Sequence, residues 1–135
     1  MSAERALAAA IRAAVIADAG VKAVLGEPAR VHDDHPPDPT FPYATFGGFQ
    51  SRPADSSAQA AIEHVVTLHV WSRHGGRAET LDALGALRAA LHDQTLALTG
   101  QRLVLLHATF TDVFRAGDGQ TTHGILRLRA VTEPI

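Results

Sequence analysis

From Ile62 to Leu91 the chain carries two hydrophobic periods side by side. Through Ser72 the repeat is two, so Ile62, His64, Val66, Leu68 and Val70 share one face of a strand. Glu63, Val65, Thr67, His69 and Trp71 take the opposite face. After the turn His74-Gly75-Gly76 the repeat becomes helical. Leu81, Leu84, Leu87 and Leu91 fall three or four apart and predict one apolar stripe, with Glu79, Asp82 and Arg88 directed elsewhere. A strand with one apolar face, followed by a helix with one apolar stripe, buries both when the helix lies back across the sheet.

The flanking segments build on this pair. Leu7, Ile11 and Val15, padded by alanines, predict an N-terminal amphipathic helix with Ser2 as its cap. Arg5 stands where a capping-box glutamate would be, so the box is absent. Gly20 is expected to end this helix, with one more turn over 21–25 before Gly26 and Pro28. Residues 30–32 suffice for an edge strand, and four prolines within 33–42 predict a stiff, extended loop. A strand is expected over 42–49, weakened or bulged at Gly47-Gly48. Residues 50–60 show no apolar period and read as a flexible loop. Leu96 and Leu98 predict a short strand. Residues 102–114 predict a long one, apolar on both faces at its start, so part of it is expected to be covered on both sides. A turn at 115–120 leads to a return strand with Leu126, Leu128 and Ala130 inward and Arg127 and Arg129 outward. The expected fold is α+β, in the order α-β-β-β-α-β-β-β. It forms a single domain, 1–135, with a mainly antiparallel sheet and two helices packed on one face.

Composition narrows the function. The formal net charge is −2 and there is no basic run, which disfavours a protein that grips nucleic-acid phosphates for affinity. Without cysteine there is neither a disulfide framework nor a thiolate metal site. Glu4, Arg5 and Arg12 interrupt the N-terminal apolar pattern, which reads as a helix rather than a signal peptide, and no stretch approaches a membrane span. A cytoplasmic protein is expected.

Candidate chemistry is sparse. His32-Asp33-Asp34-His35 has the residue types of a metal site, but in extended chain neighbouring side chains point apart. His64, His69, His107 and His123 all lie on predicted strands, and a site of three would need them at one level of adjacent strands. That requirement defines one reading, a small α+β enzyme or ligand-binding domain built on a metal. Gly75-Gly76 precedes a helix but falls short of a phosphate loop, and Gly117-Asp118-Gly119 lacks the carboxylates of a calcium loop. No nucleophile elbow or dinucleotide pattern occurs, so no catalytic, cofactor-binding or metal residue is assigned and no cofactor is expected. The non-core sheet face is more informative. Thr67, His69 and Trp71 on one strand and Arg127 and Arg129 on another are too polar for a core. Tryptophan and arginine are enriched where proteins meet.

Several segments together carry a resemblance: H-V-W-S-R at 69–73, L-R-A-A-L-H-D at 87–93, L-A-L-T-G-Q-R-L-V at 96–104, and D-V-F-R-A-G-D-G-Q-T-T-H-G-I-L-R-L-R-A at 112–130. With V-H-D-D-H-P-P-D-P-T-F-P-Y-A-T-F-G at 31–47, they resemble the tail-completion, or tail-terminator, proteins of long-tailed phages and phage-like gene transfer agents. The resemblance implies a structural virion protein and not an enzyme. Such a protein forms a hexameric ring that caps the tail tube and joins it to the head connector or stopper. DNA passes through the lumen without sequence-specific contact, and no membrane is involved. It also implies assembly in the bacterial cytoplasm, then residence in the tail or neck of the particle. The interface residues expected on this reading are His69, Trp71, Arg127 and Arg129 on the sheet, with Arg52 and Asp55 in the 50–60 loop.

Overall fold

A computed structural model describes residues 1–54 and 60–135. The elements are α1 (Ala3–Ala17), α2 (Ala19–Leu25), β1 (Val31–His32), β2 (Tyr43–Pro53), β3 (Ile62–Ser72), α3 (Ala78–Leu91), β4 (Gln101–Arg115) and β5 (Thr122–Pro134). The strands form one sheet in the order β1-β2-β3-β5-β4. β1 runs parallel to β2, and the other pairs are antiparallel. The core lies between the helices and one sheet face. Leu7, Ile11 and Val15 of α1, Val21 and Leu25 of α2, and Leu84, Leu87 and Leu91 of α3 pack there against Val66, Leu68, Val70, Leu126, Leu128 and Ala130. The α+β class and the strand periods of β3 and β5 are as the pattern predicts.

Three helices form rather than two. Asp18, not Gly20, ends α1, because its backbone leaves the helix at φ −79°, ψ 128°. Its carboxylate then accepts the Val21 N–H at 3.0 Å and starts a new helix. A short acidic side chain that competes for backbone donors makes this break, and Gly20 sits inside α2.

The buried stripe of α3 is also offset from the leucine count. Thr80, Ala83, Leu84, Leu87 and Leu91 face the core, while Leu81 is 53% exposed. One residue is about 100° of helix, so Leu81 is carried off the stripe that Thr80 occupies.

On β2 the pairing continues beyond the expected 42–49. Gln50 to Pro53 lie opposite Val65 to Ile62, so the first part of the predicted 50–60 loop is strand. Gly47 and Gly48 fall in the register shift between Phe46 and Phe49, where a bulge was expected. The loop assignment for 55–59 falls outside the described residues. Leu96 and Leu98 form no strand, only a single bridge from Leu98 to Gln101.

The expectation of cover on both faces of β4 is overturned. It is an edge strand on which Leu106 alone is buried and Val104 is 48% exposed. Register shifts at Leu103/Leu105 and Ala108/Phe110 change which side chains face the helices, so apolar alternation read in a single register does not carry through. The turn after α3 caps this edge midway. Asp93 N–H donates to the Leu106 carbonyl at 2.8 Å, and Ala108 N–H donates to His92 Nδ1 at 3.0 Å. Bulges and a capped edge are ways in which a long strand avoids indiscriminate pairing.

Candidate interaction surface

The sheet face turned away from the helices is built in ranks by cross-strand pairing. Tyr43 lies opposite Trp71, Trp71 opposite His123, and His123 opposite Phe114, so one rank of rings crosses four strands. Trp71 stacks on His123 with centroids 3.9 Å apart, and Phe114 sits 4.8 Å beyond. The Trp71 indole N–H donates to Thr45 Oγ1 at 3.1 Å. In the next rank His69 joins the cluster, its Nδ1 2.7 Å from His123 Nε2. His69 fits here because Gly47 has no side chain: a Cβ at that position would stand 2.2 Å from His69 Nε2.

This end of the face has a roof. The proline-rich segment turns back over it and sets the His35 ring 4.9 Å from Trp71, with His35 Nδ1 2.9 Å from the Tyr43 hydroxyl. Phe41 packs on Tyr43, and the Arg73 guanidinium lies over Phe41. Trp71 and His69 are therefore partly buried. Burial lowers the pKa of His69, helped by His35 and Arg127. His123 is brought down to about 4 by burial first, then by His69 and His35.

Further along the strands the face is open. Arg127 is exposed and its guanidinium lies over the Phe110 ring at 4.8 Å; Phe110 itself is 41% exposed. Arg129 Nε donates to one Glu63 oxygen at 2.6 Å and Arg52 Nε to the other at 2.7 Å. These two hydrogen bonds, Arg52 first, hold the Glu63 carboxyl below its ordinary pKa. Arg52, Glu63, Leu105, Arg129 and Val131 line an open depression here.

The candidate residues thus occupy one face but separate into groups. His69 and Trp71 belong to the roofed ring cluster. Arg127 pairs with Thr67, four residues from Trp71 along β3, or roughly 13 Å. Arg52 and Arg129 share Glu63. Asp55 lies outside the described residues. Sequence reasoning missed His123 and Phe110 as members of this face. The signal for His123 was present, since the same period of two that directs Arg127 and Arg129 outward also directs His123 and Ile125.

The strand histidines do not converge. His64 points into the core, His107 lies 3.6 Å from Asp93, and only His69 and His123 meet. Among the described residues no group of three or more His, Cys, Asp or Glu side chains is placed to hold a metal. In His32-Asp33-Asp34-His35, Asp34 Oδ1 accepts the His35 backbone N–H and the His35 ring turns to Tyr43, so the segment serves the roof.

Comparison with known proteins bears on what this face is for. The family described as "Tail completion protein gp17" matches residues 9–133, which takes in the sheet but for its last residue and the helices but for the first part of α1. The tail completion protein gp17 of Bacillus phage SPP1 is 30% identical over 94 residues, 68% of each chain. Among solved structures, a chain of the virion of a native gene transfer agent particle superposes with a TM-score of 0.88. It is 28% identical, and the match covers 98% of this chain and 99% of that one. The chain therefore belongs to the tail completion protein gp17 family, and its role is structural, in the assembly of a virion tail.

Proposed function

We propose that this protein closes into a hexameric ring that caps the finished tail tube and presents the surface that joins the head connector. DNA passes through the lumen without sequence-specific contact, and the chain catalyses nothing. The observation that carries this reading is a sheet layered by helices on one face only. The other face keeps Phe110 and Arg127 in solvent. A ring is a head-to-tail contact that closes, so each subunit needs two different complementary patches, and an open face rich in aromatic and arginine side chains supplies one. On this reading Arg127, with Arg129 and Arg52 beside it, meets the neighbouring copy. His69 and Trp71 shape the adjoining surface from beneath their roof, and the segment containing Asp55 contacts the tube or connector. Family membership supports a structural protein assembled in the bacterial cytoplasm and carried in the tail or neck of the particle.

The test is a double variant, Phe110→Ser with Arg127→Glu, made in particle-producing cells. Its circular dichroism and melting should match those of the parent, while electron microscopy should find particles without completed tails. Normal tails carrying the variant would remove this face from the interface. Density for the chain located away from the tube–head junction would sink the capping role itself.

A further inference from the structure

Segment 33–42 is a stiff strap with both ends fixed. β1 anchors it on one side, and on the other the Pro42 carbonyl accepts Arg30 Nε at 2.8 Å. Between these anchors it rests on the sheet through His35, against Trp71 and Tyr43, and through Phe41. Three imidazoles therefore gather round one indole: His35 from the strap, His69 from β3 and His123 from β5. The 2.7 Å contact between His69 and His123 needs one ring to donate and the other to accept, so it is lost when both rings are protonated. The groups facing this pair are Tyr43 of β2, Asp112 of β4, Arg127 of β5, His35 of the strap and Arg73 at the strap's Phe41 end. Asp112 favours charging His123, while His35, His69 and Arg127 oppose charge in the pair.

We propose that the His35–His69–His123 cluster is an acid-sensitive latch, which holds the strap over Trp71 at neutral pH and releases it as the His69–His123 pair takes up protons. The sign follows from proton counting. The docked cluster keeps His123 at about 4 and His69 below its ordinary 6.5, so it binds fewer protons than an open one. Docking is complete above pH 6.5 and weakens as the pH falls toward about 4.

Trp71 is the only tryptophan, so emission from the intact chain reports the latch directly. Acrylamide quenching is measured between pH 7.5 and pH 4, with far-UV circular dichroism on the same samples. On release the quenching constant roughly doubles while the dichroism holds, as expected for local opening without global unfolding. His123→Phe keeps a ring on Trp71 but removes the titrating pair, and should lose most of the rise. His35→Phe changes a solvent-exposed strap residue and should act in the same direction, which covers misfolding of the first variant. The latch is refuted if Trp71 stays equally protected through the range. It is equally refuted if dichroism collapses together with protection, or if both variants keep the full rise.

Discussion

His64 on β3 and Thr132 on β5 meet inside the core, with His64 Nε2 2.8 Å from Thr132 Oγ1 and both side chains shut off from solvent. The other ring nitrogen, Nδ1, lies 2.8 Å from Ser51 Oγ on β2. One imidazole therefore ties three strands together, with both of its polar atoms partnered. His64→Ala removes the ring and leaves the buried Thr132 hydroxyl facing a void, and it should cost about 3 kcal/mol of stability in denaturant titration. Burial lowers the His64 pKa, with Glu4 acting weakly against it, so the folded chain prefers the neutral ring. Stability should be full above the ordinary histidine pKa near 6.5 and decline as the pH falls below it. His64→Ala should flatten that slope when midpoints are compared at several pH values. An unchanged slope would show that the ring does not titrate on unfolding.

The offset stripe of α3 gives a paired test. Leu87 is fully buried and Leu81 is mostly in solvent. Leu87→Ala should destabilise by about 3 kcal/mol, and Leu81→Ala by less than about 0.5 kcal/mol, in chemical unfolding. Equal losses would mean that the helix is rotated relative to the face described here.

Gly124 is where β5 runs directly beneath α3. A Cβ there would lie 2.6 Å from Thr80 Cγ2 and 3.1 Å from Leu84 Cδ1. Gly124→Ala must push the helix off the sheet and should cost about 2 kcal/mol, read as a lowered melting temperature. Gly85→Ala is the contrast. Nothing lies within 4 Å of its added carbon, and alanine is the better helix former, so that substitution should be neutral or slightly stabilising.

At the β4–β5 hairpin tip, Asp118 accepts the Thr121 hydroxyl at 2.6 Å and the backbone N–H groups of Thr121 and Gln120. Those hydrogen bonds, the Thr121 hydroxyl first, lower its pKa from 3.8 to about 2. The tip should stay ordered down to about pH 4 and loosen as the pH falls through about 2, followed by NMR on the Thr121 amide. Asp118→Ala should give the loosened tip already at neutral pH.

Alternation and helical spacing were enough to define β3, β5 and the buried stripe of α1, and to locate α3 though not its exact stripe, because each buries one face against a single layer. A side chain's direction in such an element follows from its position in the period. The same logic placed Arg127 and Arg129 outside the core, and the order of segments carried the family. What remained was decided between segments. Asp18 could have been one more polar residue on α1; its carboxylate instead caps a second helix through Val21. Along β4 each bulge inverts the alternation, and a bulge depends on the partner strand rather than on local composition. The face bearing Trp71 read as open from its residue types. The structure roofs it with His35, thirty-four positions before His69 in the chain, and ring packing against Trp71 joins loop and sheet there. Local backbone geometry is thus written residue by residue, whereas register, roofing and the meeting of His69 with His123 depend on which distant surfaces bury each other best.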